Sequence, residues 1–194
     1  MGQKQSSQKN SPADGGVFLA LGGPMHIPSL KSQVIFWSIL VGGFLADIIS
    51  KRLVFQWLEL EGWPVEIVGQ TLRFVIAENP GAAFGIAQGQ TTMLVAVAVI
   101  ALAAIIVLFF FSGKDGILMH LGLAFFAAGI AGNLWDRFFN DGKVRDFIDI
   151  QYAQGRHWPA FNLADTFLCV AVGLIILASL INRPPDQKHD PQQK

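Results

Sequence analysis

An unbroken apolar stretch, Met93 to Phe111, constrains the fold of this chain more than any other feature of its sequence. At about 1.5 Å per residue, a helix of this length crosses the roughly 30 Å hydrocarbon core of a bilayer. Of the 194 residues, 52% are hydrophobic and 14% are charged, whereas about 25% are charged in an average soluble domain. The sequence therefore predicts a membrane protein.

Three further segments are apolar and long enough to span a membrane. The first begins at Val34 and continues to Phe55, and charged residues at helical spacing follow its apolar run where a signal peptide would have a small-residue cleavage site. We therefore keep it in the mature protein. The others are Ile117 to about Trp135, and Phe161 to Ile181.

These segments predict an all-α membrane fold, a bundle of four transmembrane helices in one domain over residues 33–182. A polar tail without apolar periodicity, residues 1–32, precedes the bundle and is expected to be disordered, and a shorter tail, 183–194, follows it. Between helices one and two, an extended run from Thr71 to Ala77 and a Gly-rich turn predict a small β-containing cap. An even number of spans places both termini on one side of the membrane.

Charge and cysteine content exclude several kinds of partner and site. The formal net charge is zero, and no block of like charge marks a tail that binds nucleic acid. A single cysteine, Cys169, allows neither an intramolecular disulfide nor a zinc site built from thiolates. The four histidines show no metal-ligand spacing.

The basic residues divide evenly between the two sides, so the positive-inside rule does not orient the bundle by itself. On the side opposite the termini, four basic residues adjoin a group of polar residues and are assigned to function, so they do not count toward the orientation: Lys51, Arg52, Arg137 and Arg145. We therefore predict that both termini are cytoplasmic and that the long loops are extracytoplasmic.

Polar side chains gather at the predicted helix ends on this loop side. Placing a carboxylate within a spanning helix costs on the order of 3 kcal/mol, so such residues indicate function. The alternation of four spans brings the ends of helices one and three, the start of helix four and both long loops to one membrane surface. The residues are Asp47, Asn79, Asn133, Asp136, Arg137, Asp146, Asn162 and Asp165.

Asp146 and Asp165 are candidates for a hydrolytic pair. Two carboxyl groups in close proximity do not both ionise, so one keeps a proton and acts as an acid while the other acts as a base on water. Each also has a structural interpretation: Asp146 as a solvated loop acid, and Asn162 with Asp165 as an N-cap and a first-turn acid of helix four. No serine or cysteine nucleophile is paired with a histidine base in a recognisable motif.

The other polar residues have alternative interpretations as well. Asp47 and Lys51 are four residues apart, which is the spacing of an ordinary helical ion pair. Asn133 is a candidate for an interhelical hydrogen bond, and Arg137 is placed to offset the helix dipole or to hold a carboxylate. The segment from Asn79 to Gly85 is a turn of small residues that lets another backbone approach closely.

Taken together, these segments resemble the lipoprotein signal peptidases, or signal peptidase II, a family of aspartic peptidases of bacterial inner membranes. The resemblance covers about Val34 to Ile181. It rests on four motifs in order: Asp47 to Lys51; Asn79 to Gly85; Gly132 to Arg137 with Gly142 to Ile148; and Phe161 to Asp165.

The resemblance implies that Asp146 and Asp165 are the catalytic pair. Asp136 is interpreted as structural, pairing locally with Arg137 or with the loop. Arg145 is expected to face outward, because an inward guanidinium would lower the pKa of Asp146. Supporting or substrate-binding positions fall on Asp47, Lys51, Asn79, Gly81, Asn133, Arg137, Asn162 and Ala164.

By the same resemblance, the substrate is a prolipoprotein whose cysteine already carries diacylglycerol, and cleavage falls just before that cysteine. The expected enzyme is a monomer in the inner membrane, in contact with membrane lipids, and is inhibited by the cyclic peptide globomycin. Its active site lies at the extracytoplasmic face, and it needs no cofactor or metal.

Two other functions are compatible with the same residues. A small transporter or proton relay would also use membrane carboxylates with Lys51 and Arg137, although a path across the bilayer needs polar groups at several depths. A noncatalytic membrane subunit would use them only to hold helices together, and replacing Asp146 by asparagine would then leave activity unchanged.

Overall fold

A computed structural model describes residues 27–82, 86–113 and 116–181 of the chain. Within these ranges, four helices are long and apolar enough to cross a membrane. Most of the predicted tails, residues 1–26 and 183–194, lie outside the described residues. The helices are α1 (Leu30–Glu61), α2 (Thr91–Phe111), α3 (Ile117–Phe139) and α4 (Leu163–Ile181).

Helix α1 is longer at both ends than its apolar segment predicts. Ser29 caps its start, where the hydroxyl oxygen accepts the Ser32 N–H at 3.2 Å, so residues 30–32 are helical although the sequence placed them in the tail. It ends at Gly62, whose φ of 86° is readily adopted by glycine. With 32 residues it is about 48 Å long, well beyond the hydrocarbon thickness. Hydropathy therefore predicts the membrane segment but not the helix end.

Helix α3 is central and packs against α1, α2 and α4. Its buried face is rich in small residues, among them Ala124, Ala127 and Ala128, all 0% exposed. A Cβ atom added at Gly129 would lie 2.6 Å from the Ala164 carbonyl oxygen, so α4 approaches α3 with no room for a side chain. Close backbone approach at small residues is the usual way in which membrane helices associate.

An antiparallel sheet of four strands in the order β1-β2-β3-β4 adjoins the helix ends. Its strands come from both long loops, whereas the sequence placed the β-containing cap only between helices one and two. The second loop was not recognised as a strand because Asp146 and Asp149, both buried, interrupt the apolar-polar alternation. The strands are β1 (Val65–Val68), β2 (Leu72–Asn79), β3 (Val144–Ala153) and β4 (Arg156–His157).

The register of this sheet places polar residues from the two loops side by side. Asn79 pairs with Val144, and Ala77 pairs with Asp146. At the opposite end of the helices, Phe36 stacks on Phe109 with their ring centroids 3.9 Å apart, and buried His120 lies beside Phe109. The buried aspartates, by contrast, all lie where the helices meet the sheet.

Candidate active site

The residues that the sequence singled out come together where α1, α3 and α4 meet the sheet. Asp47 and Lys51 come from α1, Asn79 and Gly81 from the end of β2 and the following turn, and Asn133 and Arg137 from α3. Strand β3 carries Asp146, and Asn162, Ala164 and Asp165 form the start of α4. Each of them is joined to at least one other member by a contact described below.

The two candidate catalytic aspartates are linked through Asn162. The Asn162 Nδ2 donates to Asp146 Oδ1 at 2.6 Å, and the backbone N–H of Asn162 donates to Asp165 Oδ2 at 3.2 Å. Asp146 is 3% exposed and Asn162 is fully buried. Asp146 is therefore a buried strand residue, not the solvated loop acid that the sequence allowed.

Asn162 also caps helix α4. Its Oδ1 accepts the backbone N–H of Asp165 at 3.0 Å, while the Asp165 carboxylate accepts the Asn162 N–H. This reciprocal arrangement is a capping box, which satisfies two backbone donors of the first turn. The N-cap interpretation is thus correct as geometry, and the same two side chains still reach the neighbouring strand and helix.

Strand β3 and the start of α4 are held together by the backbone of Phe161. Its carbonyl oxygen accepts the N–H of Phe147 at 3.1 Å and that of Ile148 at 2.9 Å, and its own N–H donates to Ile148. These bonds fix Asn162 next to Asp146. The sequence contains no side-chain signal for this arrangement, because it uses main-chain atoms alone.

Asn133 connects the pair to α1. Its Nδ2 donates to Asp165 Oδ1 at 2.8 Å, and its Oδ1 accepts from both Lys51 Nζ and Asn162 Nδ2 at 3.1 Å. A buried amide with both ends occupied has its orientation fixed by its partners. Asn133 therefore orients the Asp165 carboxylate from the α3 side.

Asp47 and Lys51 form an ion pair of 2.7 Å in which both side chains are 0% exposed. Asp47 Oδ1 also accepts the backbone N–H of Ala164 at 2.8 Å. A carboxylate at this place satisfies a free amide of the first turn of α4 and opposes the positive end of its dipole. Beyond the local ion pair, Asp47 therefore docks α4 onto α1. Gly132 leaves the room for its carboxylate.

Arg137 holds the turn that follows β2. Its Nη2 donates to the Gly81 carbonyl oxygen at 2.8 Å, and its Nη1 donates to the Asn133 carbonyl oxygen at 3.1 Å. Asn79 Oδ1 accepts the Gly81 N–H at 2.9 Å. The guanidinium thereby fixes the Asn79 side of the site to α3.

Asp136 is fully buried and does not pair with Arg137. Its partners are Arg145, with Nη2 at 2.5 Å and Nε at 3.1 Å, and Lys51, with Nζ at 3.1 Å. The expectation that it pairs with the loop is thus correct. Arg145 turns away from Asp146, as expected, but it does not point out to solvent, because its side chain is only 20% exposed and binds Asp136. Sequence spacing gave no sign of this contact.

Burial, and after it the charge of Asp165, raise the pKa of Asp146 to about 7 against the opposing effect of hydrogen bonds from Asn162 and Asn79 and of the charge of Lys51. The site gathers three cations, those of Lys51, Arg137 and Arg145. Four carboxyl groups lie among these cations, those of Asp47, Asp136, Asp146 and Asp165. A single proton shared by the aspartate pair makes this buried cluster neutral, which is the arrangement that low dielectric surroundings favour.

Among the described residues, no group of three or more His, Cys, Asp or Glu side chains is arranged to hold a metal ion. The chemistry available from the side chains themselves is acid–base chemistry by two neighbouring carboxyl groups, those of Asp146 and Asp165.

Comparisons with known proteins identify related chains. A family model described as signal peptidase (SPase) II matches residues 39–181. The lipoprotein signal peptidase of Clostridium novyi is 37% identical over 145 residues, which cover 75% of this chain and 95% of that protein. The Aquifex aeolicus enzyme of the same name is 33% identical, with 79% of this chain and 90% of that protein covered.

Two solved structures share the fold. A bacterial membrane enzyme determined by the in meso method at 2.3 Å resolution superposes with a TM-score of 0.66 and 27% identity, covering 87% of this chain and 99% of that one. A second, at 1.9 Å resolution, gives a TM-score of 0.61 and 28% identity, covering 82% of this chain and all of that one.

Proposed function

This chain belongs to the signal peptidase II family, and from that premise we propose that it cleaves diacylglyceryl-modified prolipoproteins just before the lipidated cysteine, using Asp146 and Asp165. The family and its named relatives make the chain a peptidase that acts in lipoprotein processing. Four apolar helices and bacterial relatives make it a multi-pass bacterial membrane protein.

One observation carries the mechanism: Asn162 bonds to both aspartates, to Asp146 through its side-chain amide and to Asp165 through its backbone N–H, so a carboxyl group from β3 and one from α4 are held by the same residue. In the proposed reaction, the ionised aspartate takes a proton from water, and the water oxygen attacks the scissile carbonyl carbon. The protonated aspartate donates its proton to the departing amide nitrogen as the carbon–nitrogen bond breaks. The raised pKa of Asp146 favours this residue as the proton donor.

The position of the site suits a lipidated substrate. The aspartates lie where the apolar helices end and the sheet begins, so acyl chains can stay in the bilayer while the peptide bond reaches water. An open groove of about 610 Å³ adjoins the site, and we propose that it receives apolar side chains of the substrate. It is lined by Ile150, Tyr152, His157, Trp158, Pro159 and Phe161.

Membership of a peptidase family decides against the transporter and the noncatalytic subunit. The geometry agrees, because the residues of the candidate site lie at one end of the helices and α2 is apolar from Met93 to Phe111. We further propose an inner-membrane enzyme that works as a monomer, with cytoplasmic termini, an extracytoplasmic site and sensitivity to globomycin.

The test is cleavage of a diacylglyceryl-modified prolipoprotein by the purified protein in detergent, read as a mobility shift on a gel. Wild type should cleave it, whereas Asp146→Asn and Asp165→Asn should fold but not cleave. Asp141→Asn is the matched control, because Asp141 is an exposed aspartate in the turn before β3. It should cleave as wild type does.

An inert wild-type protein would overturn the proposed substrate. Normal cleavage by either Asp146→Asn or Asp165→Asn would overturn the assigned pair. Cleavage of the same prolipoprotein without its diacylglyceryl group, at the wild-type rate, would show that the lipid is not recognised.

A further inference from the structure

Arg145 stands directly before the proposed proton donor, yet the structure turns it away from that residue. Neighbouring side chains on a strand point to opposite faces, so Arg145 and Asp146 diverge. The Arg145 guanidinium donates to Asp136 Oδ1 from Nη2 at 2.5 Å and from Nε at 3.1 Å. The backbone N–H of Arg145 donates to Asp136 Oδ2 at 3.0 Å. Asp136 thus binds both the side chain and the main chain of one strand residue.

Asp136 lies one turn beyond Asn133 on α3, and Asn133 orients Asp165. The Asn133–Asp165 and Asp136–Arg145 contacts therefore connect both candidate catalytic aspartates to α3. Asp165 is tied to α3 through Asn133, and Asp146 is tied to it through the strand residue next to it. Lys51, 3.1 Å from Asp136, adds a link to α1.

We propose that the Asp136–Arg145 pair is a positioning device for the aspartate pair. It fixes the start of β3 to α3, and it neutralises a guanidinium on the residue next to Asp146. Neither residue touches the substrate in this proposal, which rests on the proposed function because its main readout is cleavage.

The second role of the pair, neutralising the Arg145 guanidinium, can be measured through the pH profile of cleavage. The groups that face it are Asp165 and Asn162 of α4, Lys51 of α1, Arg137 of α3 and Asn79 of β2. Arg145 is not among them while Asp136 holds it. Without the Asp136 carboxylate, the guanidinium has no buried counterion; the carboxyl group opposite it in the sheet is that of Glu78, which is exposed and paired with Lys143, so an uncompensated positive charge stands one residue from Asp146. A cation there would favour the ionised form and remove the proton that the reaction needs.

The test compares Arg145→Gln, Arg145→Lys, Asp136→Asn and the double variant Asp136→Asn/Arg145→Gln, with kcat, KM and the pH profile of cleavage measured for each. Lys143→Gln is the matched control, because Lys143 forms an exposed pair with Glu78 beside the same strand. It should behave as wild type does. Thermal melting in detergent reports whether each variant folds.

We expect Arg145→Gln to lower kcat about tenfold or more with little change in KM, because a small displacement of a catalytic group is costly. Arg145→Lys should recover part of that loss. Asp136→Asn should shift the high-pH limb of the profile to lower pH by about half a unit or more, and the double variant should return the limb to its wild-type position.

Normal kcat in Arg145→Gln, with an unchanged profile, would overturn the positioning role. A loss of activity in Asp136→Asn without a shift of the limb, or a shift that persists in the double variant, would overturn the charge role. If Asp136→Asn does not fold, the two Arg145 variants decide the proposal, because they keep Asp136 paired with Lys51. A wild-type enzyme that does not cleave would refute the proposed function instead.

Discussion

The two aspartates of the site are unequal because their surroundings differ. Asp146 is a strand residue with 3% exposure, whereas Asp165 belongs to the capping box of a helix. Burial and the neighbouring negative charge raise the pKa of Asp146 to about 7, from an ordinary value of 3.8. This difference predicts that stability depends on pH.

Stability should depend on pH through Asp146. Between its ordinary pKa of 3.8 and its folded-state pKa of about 7, the folded protein holds a proton that the unfolded chain releases. The free energy of unfolding should therefore fall as the pH rises through this window. Asp146→Asn lacks this proton, so its melting temperature should change less between about pH 5 and pH 8. Thermal melting in detergent measures this. A variant as pH-dependent as wild type would contradict the prediction, and Asp141→Asn should retain the wild-type dependence.

Asn162 has two roles that substitution can separate. Serine caps a helix about as well as asparagine does, but it cannot reach Asp146 as the amide does. Asn162→Ser should therefore keep the melting temperature near that of wild type and lose most cleavage activity. Asn162→Ala should also lose about 1 kcal/mol of stability with the cap. Equal activity in Asn162→Ser and wild type would show that the amide bridge is dispensable.

At the scale of the elements, α3 determines the geometry of the site. It packs against the three other helices, and it carries Asn133, Asp136 and Arg137, which bind α4, β3 and the turn after β2 respectively. Glycines along α3 allow this approach, because a Cβ at Gly132 would collide with the Asp47 carboxylate.

Gly132→Ala should therefore separate α1 from α3 and lower both stability and activity. Gly173→Ala is the matched control, because nothing lies within 4 Å of a Cβ at Gly173, which is also within a helix. Alanine there should leave activity unchanged and keep the stability, since it favours the helix by about 1 kcal/mol relative to glycine. Melting and cleavage assays measure both effects. Equal behaviour of the two variants would refute the tight contact at Gly132.

At the scale of the whole molecule, the proposed orientation places the sheet outside the cell membrane and both termini inside. A Cys169→Ser background allows single cysteines at Asp141 and Lys188 to be labelled. A membrane-impermeant maleimide should label Asp141→Cys in intact spheroplasts and Lys188→Cys only after permeabilisation. The reverse pattern would invert the orientation. Labelling of both from one side would show that α4, the one helix between these positions, does not cross the membrane.

The sequence by itself determined where the chain crosses the membrane, because the free energy of inserting a segment depends on its own apolar length. It also indicated which polar residues stand at the helix ends, since unpaired charge is costly in lipid. The predicted starts of helices two and three, Met93 and Ile117, lie within two residues of the observed starts of α2 and α3. The roles of these side chains in catalysis stay predictions.

Only the tertiary structure decided how these residues meet. Asp47 accepts the backbone N–H of Ala164, 117 residues further along the chain, and Lys51 reaches Asn133 across 82 residues. The pairing of β2 with β3, and the turn of Arg145 toward Asp136, likewise join segments from different loops. Such contacts depend on the close approach of α1, α3 and α4 and on the register of the sheet, and neither is encoded in the local hydropathy or spacing of one segment.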